Sequence, residues 1–333
     1  MTKTKIAINW YGRIGICVAK IISQRDDCEL VAINSSTPHG EIEYLTKYDS
    51  VHWNFNEKLK VKNWFLYIWE KTKAKIFSER DIEKLDFWTE KAEVVLDCTG
   101  AFLTSKKAKH YLKNWVKKVV MSAPAKDDTP TFVIGVNEEK YAWEKIISNA
   151  SCTTNGMWAL TKVINEKFGI QKAIMTTIHS YTASQNLLDA KNPKDRRKGR
   201  SGSLNMIPTT TGAAKAITKI MPELIWKIHG QAVRVPTANV SLIDINFVLR
   251  KNTSIEEVNN FLSRLSENKY RNIIAIDNDM RVSSDFIWNP NSCIIAPDMT
   301  QVVDWNLLKI MAWYDNEWGY SSRLVDMGVF VNK

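Results

Sequence analysis

Apolar and polar positions fall into two rhythms along the chain. Lys5-Ile6-Ala7-Ile8-Asn9, Glu29-Leu30-Val31-Ala32-Ile33-Asn34-Ser35, Glu93-Val94-Val95-Leu96-Asp97 and Lys118-Val119-Val120-Met121 are short, nearly continuous apolar runs, the signature of strands buried on both faces. Between the first two, Ile14, Val18, Ile21 and Ile22 recur on one helical face. Phe132-Val133-Ile134-Gly135-Val136 reads as a further strand, and Val61 to Phe77 as small antiparallel strands. This alternation predicts a doubly wound α/β sheet with a ligand cleft at the carboxyl ends of its strands.

Beyond residue 152 the elements lengthen. Ile170 to Ile178, Gly212 to Ile220 and Val240 to Leu249 are followed by a helix whose start, Ser254-Ile255-Glu256-Glu257, is a capping box. A mixed sheet with helices on one face is expected there, and Asn316 to Phe330 reads as a closing helix. The length, 333 residues, accommodates two domains at about 150 residues each. We expect residues 1–151 with 316–333 to form one and residues 152–315 the other.

Candidate chemistry concentrates at Ser151-Cys152-Thr153-Thr154-Asn155, where a cysteine opens a helix. Unpaired N–H groups and a partial positive charge at a helix start favour thiolate over thiol. Thr176-Thr177-Ile178-His179-Ser180-Tyr181-Thr182 sets a histidine at the end of a strand, from which it can face the cysteine. Such a pair performs acyl transfer, the imidazole moving protons to and from sulfur and substrate oxygen. Free cysteine is also among the most buried residue types, and a strand-end histidine also serves as a hydrogen-bonded scaffold residue. Near the amino terminus, Trp10-Tyr11-Gly12-Arg13-Ile14-Gly15 joins strand to helix as a dinucleotide fingerprint does, with Gly12 and Gly15 at its second and third glycine positions and Trp10 at its first.

The stretches SNASCTTN, TTIHSYTASQ, IPTTTGAAKA, VRVPTANVS, WYDNEWGYSSRLVD, MSAPAKDD and KYDSVH occur in one order and span the chain. Together they resemble the phosphorylating glyceraldehyde-3-phosphate dehydrogenases; the relative that oxidises erythrose 4-phosphate shares most of them. The resemblance implies an N-terminal Rossmann-type domain, an α+β catalytic domain with a mixed sheet, and a C-terminal helix returning to the first. It implies Cys152 as nucleophile and His179 as base, with Gly12, Arg13, Ile14, Ser35, Thr99, Ser122 and Asn316 lining the cofactor site. Ser151, Thr153, Thr211 and Gly212 match the attacking-phosphate pocket, and Thr182, Arg234 and Arg197 the substrate-phosphate pocket. Glyceraldehyde 3-phosphate and inorganic phosphate are the expected substrates, NAD or NADP the cofactor, and a homotetramer the assembly.

Two departures bear on that expectation. Ser35 stands where the family has an aspartate that grips ribose hydroxyls and repels a 2′-phosphate, and Lys191 where an NAD-selective proline is expected; NAD and NADP stay equally open. Glycine numbers 13 against about 23 at ordinary usage near 7%, and tryptophan also numbers 13. Trp10, Trp53, Trp64, Trp69, Trp88, Trp115, Trp143, Trp226, Trp288 and Trp305 fall where the family has glycine, several of them directly after Asn or Asp. Glycine codons read as tryptophan would produce this pattern; Trp313 and Trp318 match aromatic family positions.

Composition narrows the remaining classes. No apolar run approaches the roughly 18–20 residues of a membrane span, and the start MTKTKIAIN enters a strand directly, so a cytoplasmic protein is expected. Five irregularly spaced cysteines argue for reduced thiols, and no Cys/His spacing suits zinc. The net charge of +10 is dispersed among carboxylates, which makes nucleic acid an unexpected primary partner. Only the loop from Lys191 to Arg200, with Lys194, Arg196, Arg197 and Lys198, gathers cations, and it reads equally as a nucleic-acid patch or a phosphate site.

Overall fold

The computed structural model describes residues 3–68, 71–193, 195–213 and 216–333, with the backbone alone at 217 and 218. It divides into two compact units. The first takes in Met1–Val133, Glu138–Ala150 and Ser321–Lys333, the second Ile134–Asn137 and Ser151–Tyr320.

The first unit carries strands β1 (Thr4–Asn9), β2 (Cys28–Asn34), β3 (Leu59–Lys62), β4 (Phe65–Ile68), β5 (Thr72–Phe77), β6 (Val94–Asp97), β7 (Lys118–Met121) and β8 (Ile146–Ser148). Helices α1 (Arg13–Ser23), α2 (His39–Lys47) and α3 (Ser105–Ala108) lie between them. The sheet runs β3-β4-β5-β2-β1-β6-β7-β8, parallel from β5 to β8, with β3 and β4 an antiparallel hairpin at one edge. Strand order reverses beside β1, between β2 and β6, so the carboxyl ends of these strands open a crevice there. β6 and β7 are buried along their whole length, which is why their sequences are apolar without alternation.

The apolar run Phe132–Val136 is not a strand. Thr131 makes one isolated bridge to Ser148, after which the chain turns through Gly135 at φ 82° and Ile134–Asn137 joins the second unit. An apolar run tells of burial before it tells of extension, and a glycine inside it marks the bend.

The second unit holds α4 (Cys152–Phe168), β9 (Ile170–Ser180), β10 (Ile207–Thr210), α5 (Ile217–Ile220), β11 (Ile228–Val235), β12 (Ser241–Leu249), α6 (Ile255–Glu267), β13 (Ile274–Ile276), β14 (Cys293–Ile295), β15 (Gln301–Val303) and β16 (Leu307–Tyr314). Helix α7 (Trp318–Phe330) begins here and ends in the first unit. The sheet runs β10-β11-β9-β12-β16-β14-β13, with β15 paired to β16, and mixes parallel (β9/β11) with antiparallel (β9/β12, β12/β16) neighbours. α4 lies so close to this sheet that a Cβ on Gly156 would come within 3.0 Å of the Ser292 carbonyl and 3.1 Å of Ile243. That closeness fixes the first turn of α4 against the carboxyl end of β9.

Candidate active site

In the second unit, Ser151 caps α4: its backbone is extended and its Oγ accepts from the Thr154 N–H at 3.2 Å. Cys152 follows as the first helical residue. His179 sits one residue from the end of β9, and its Nε2 lies 3.5 Å from the Cys152 Sγ. β11 runs parallel to β9 with Arg234 in register with His179, which brings the Arg234 Nη1 to 2.7 Å from the His179 Nδ1. The Ser180 carbonyl accepts from both, at 2.7 Å from Nδ1 and 3.0 Å from Nη1. In the tautomer with its proton on Nδ1, that carbonyl accepts it and Nε2 keeps a lone pair toward sulfur, as a base needs; Arg234 then donates to the carbonyl and meets Nδ1 only as a neighbouring charge.

Burial and charge then set the resting protonation. His179 is buried, and desolvation with the adjacent guanidinium holds its pKa down at about 3 against an ordinary 6.5, the Ser180 bond opposing. Desolvation pushes the Cys152 thiol up, while Arg234 and the Thr153 N–H pull it back. Both directions favour neutral thiol and neutral imidazole over the thiolate that a helix start alone suggests. Among the described residues Arg234 has no ion-pair partner; the imidazole and one carbonyl are its polar contacts. A cation left in this state beside a nucleophile invites an anionic ligand.

Tyr314, at the end of β16, ties the site together. Its hydroxyl meets the Thr153 Oγ1 at 3.0 Å and the Thr177 Oγ1 at 2.8 Å, and its ring stands edge-on to His179 with centroids 6.0 Å apart. This residue was not singled out from sequence, although WYDNEWGY contains it. Asn316 accepts from the Ser241 Oγ at 2.7 Å, and that oxygen accepts from the Ser180 N–H at 3.1 Å, which links it to the residue after His179. The Thr182 Oγ1 bonds the Ser184 Oγ at 2.9 Å. Thr211 and Gly212 follow β10, whose Thr210 pairs with Gln231, three residues back along β11 from Arg234; among the described residues no hydrogen bond joins them to Cys152 or His179, and the Thr211 Oγ1 accepts from the Ala213 N–H. Arg197 is exposed, its N–H on Asp195; Lys194 lies outside the described residues.

In the first unit a cleft of about 280 Å³ opens at the strand-order reversal, lined by Asn9, Trp10, Asn34, Ser36, Glu79, Arg80 and Thr99 among others. Asn34 builds its wall: Nδ2 donates to the Asn9 Oδ1 (2.8 Å) and the Glu79 carbonyl (2.7 Å), while Oδ1 accepts from the Glu79 N–H (2.9 Å). Ser35 is buried behind that wall, its Oγ accepting from the Thr37 N–H. Thr99 donates to Asp97 from N–H and hydroxyl, and the Ser122 N–H bonds the Asp97 carbonyl. Gly12 caps α1 with no side-chain bond. Arg13 is taken up by Asp49 at 2.8 Å and His52 at 3.3 Å. Asn34, Ser36, Glu79 and Arg80 were not found from sequence; their signal is their place at the end of β2 (Asn34) or just after β2 and β5.

The family model described as glyceraldehyde 3-phosphate dehydrogenase, NAD binding domain, matches residues 4–105, and its C-terminal domain matches residues 151–316. The chain is 45% identical over 333 residues to glyceraldehyde-3-phosphate dehydrogenase of Atriplex nummularia, covering 98% of this chain and 91% of that one. The chain belongs to the glyceraldehyde-3-phosphate dehydrogenase family. Family members named as cytosolic are 43% identical in Mesembryanthemum crystallinum (100% of this chain, 99% of the relative) and 44% in Sinapis alba (99% and 98%). Among the described residues no helix is long and apolar enough to cross a membrane.

NAD(P) is the cofactor of the dehydrogenase N-terminal domain. Its adenosine end fits the cleft beside Asn34, where the carbonyls, amides and carboxylate of the wall can meet ribose and base. Its pyrophosphate end does not fit. The Trp10 indole stands over the α1 start, where a Cβ on Gly12 would come within 2.9 Å of its Nε1.

Proposed function

We propose that the chain oxidises glyceraldehyde 3-phosphate to 1,3-bisphosphoglycerate, with inorganic phosphate as second substrate and NAD(P) as oxidant, in glycolysis and gluconeogenesis. The observation that carries this reading is the Cys152–His179 contact at 3.5 Å beside Arg234, which has no ion-pair partner among the described residues. His179 takes the Cys152 proton on Nε2 as sulfur attacks the aldehyde carbon, so the charge a resting thiolate would carry in a buried site is created only at attack. The α4 N–H groups face the resulting hemithioacetal oxygen. Nε2 returns that proton to the oxygen, giving the hemithioacetal hydroxyl, and is again free to accept it. A bound nicotinamide would supply the hydride acceptor for that carbon; Nε2 takes the hydroxyl proton back as the carbonyl of a thioester on Cys152 forms. A phosphate oxygen then displaces sulfur, and the thiol recovers its proton.

Ser151, Thr153, Thr211 and Gly212 serve the attacking phosphate in this reading, and Thr182, Arg234 and Arg197 the substrate phosphate. A guanidinium fork and hydroxyl donors suit a tetrahedral dianion. Asn316 would hold the nicotinamide carboxamide and Ser35, Thr99 and Ser122 the rest of the cofactor, with Gly12, Arg13 and Ile14 open to its pyrophosphate only where the residue 10 indole does not cover them. A cytoplasmic location, supported by relatives named as cytosolic, and a homotetrameric assembly complete the proposal.

The test is aldehyde oxidation with glyceraldehyde 3-phosphate and with erythrose 4-phosphate, each nicotinamide in turn, with and without phosphate. Turnover of the three-carbon substrate that requires phosphate is expected; phosphate-independent oxidation, or preference for erythrose 4-phosphate, overturns the assignment.

A further inference from the structure

Among the described residues, fifteen other than glycine have φ in the left-handed region, and seven are tryptophan: Trp10 (75°), Trp53 (56°), Trp64 (63°), Trp143 (67°), Trp226 (65°), Trp288 (73°) and Trp305 (62°). Left-handed backbone belongs to glycine and, less often, to Asn or Asp; a bulky side chain there is an outlier. Local structure makes the mismatch specific. Asn63-Trp64 is the two-residue loop between β3 and β4, with Lys62 paired to Phe65 and both loop residues at positive φ, the turn in which Asn-Gly predominates. Asp304-Trp305 likewise turns β15 into β16 with both residues left-handed.

The other tryptophans behave differently. Trp158 is fully buried in α4, Trp313 stacks on Phe286 within β16, and Trp318 is buried at the start of α7, none of them at positive φ. Trp88 and Trp115, expected at glycine positions, also have ordinary φ: in these two segments Lys91 and Asn114 take the left-handed conformation. Trp69 lies outside the described residues. Backbone conformation thus sets these seven apart from Trp158, Trp313 and Trp318, and, Trp288 apart, the seven are exposed; Trp115, with ordinary φ, is exposed as well.

We propose that the native chain carries glycine, not tryptophan, at residues 10, 53, 64, 143, 226, 288 and 305, the product of one codon that its source decodes as glycine. At residue 10 the change removes the indole from beside Gly12 and opens the α1 start to the cofactor pyrophosphate. This second part rests on the cofactor reading above; the first does not.

Peptide sequencing by mass spectrometry of the protein isolated from its native source reads the residues directly. Glycine is expected at residues 10, 64 and 305, with tryptophan at 158 as internal control. Tryptophan at residue 10, 64 or 305 overturns the proposal. Two recombinant chains with glycine at the other six positions, differing only by Trp10→Gly, test the consequence by calorimetric titration with NAD. The Trp10→Gly chain is expected to bind at least tenfold more tightly; equal affinity overturns the role given to residue 10 while leaving the mass-spectrometric result intact.

Discussion

Two helix starts in this molecule are built for negative charge, and they differ in who closes them. At α4, Ser151 satisfies one N–H, and the sulfur of Cys152 stands in the first turn with His179 and Arg234 beside it. At α1, Gly12 offers no side-chain acceptor, and the indole of residue 10 lies against it. A helix N-terminus is a binding feature only where the path to it is open. The catalytic start is self-capped and holds its chemistry within protein; the cofactor start is bare and loses its use when one bulky residue intrudes.

The largest effect should come from Cys152→Ser, which removes the nucleophile at the closed start: turnover should fall by about 10⁴-fold or more, measured by nicotinamide absorbance under saturating substrates. His179→Gln should cost about 10²–10⁴-fold in kcat, because the proton on sulfur then has no acceptor. The same variant changes stability with pH. Buried His179 stays neutral down to about 3 while the unfolded chain protonates near 6.5, so folded wild type loses stability as pH falls through that window, by up to a few kcal/mol. Denaturant titrations at pH 7 and pH 5 should show a smaller loss in His179→Gln. Cys152 acts in the opposite direction: its raised pKa costs stability as pH climbs above the ordinary thiol value of 9.0, and Cys152→Ser should abolish that part.

Arg234→Ala should raise KM for the phosphorylated substrate by roughly ten- to a hundredfold, since a charge-assisted contact of about 1.5–3 kcal/mol is lost. An unchanged KM would remove Arg234 from substrate binding. The smallest effect expected is that of Ser151→Ala, about 0.5–2 kcal/mol of stability measured by urea unfolding, the worth of one helix cap. At the bare start no such variant exists, because Gly12 contributes no cap to remove.

Much of this arrangement is legible in sequence. The parallel strands announce themselves as unbroken apolar runs, and the helix after Cys152 through a polar cap followed by apolar spacing. Phe132–Val136 misled because hydrophobicity reports burial without direction, and the bend at Gly135 wins locally. Tyr314 and Asn34 escaped because their roles are set by convergence: Tyr314 reaches Thr153 and Thr177 across more than a hundred residues of chain, and Asn34 joins the ends of two strands to the Glu79 loop. The resting protonation of Cys152 and His179 also escaped, since a helix start argues for thiolate and only the enclosing protein shows that desolvation outweighs it. The tryptophan anomaly was visible in composition, but only the backbone divides the ten suspect positions into seven left-handed turns, two ordinary ones and one outside the described residues. At about 1–2 kcal/mol for each left-handed residue bearing a Cβ, seven such positions approach the entire net stability of a domain, about 5–15 kcal/mol.

The central claim is that Cys152 carries the acyl group between oxidation and release. Mixing the enzyme with glyceraldehyde 3-phosphate and oxidised nicotinamide without phosphate, quenching in acid and mapping peptides by mass spectrometry reads this directly. The account predicts an acyl adduct on the peptide bearing Cys152 that disappears when inorganic phosphate is added before the quench. Reduced nicotinamide formed in stoichiometric amount with Cys152 unmodified, or an adduct that phosphate does not discharge, would contradict it.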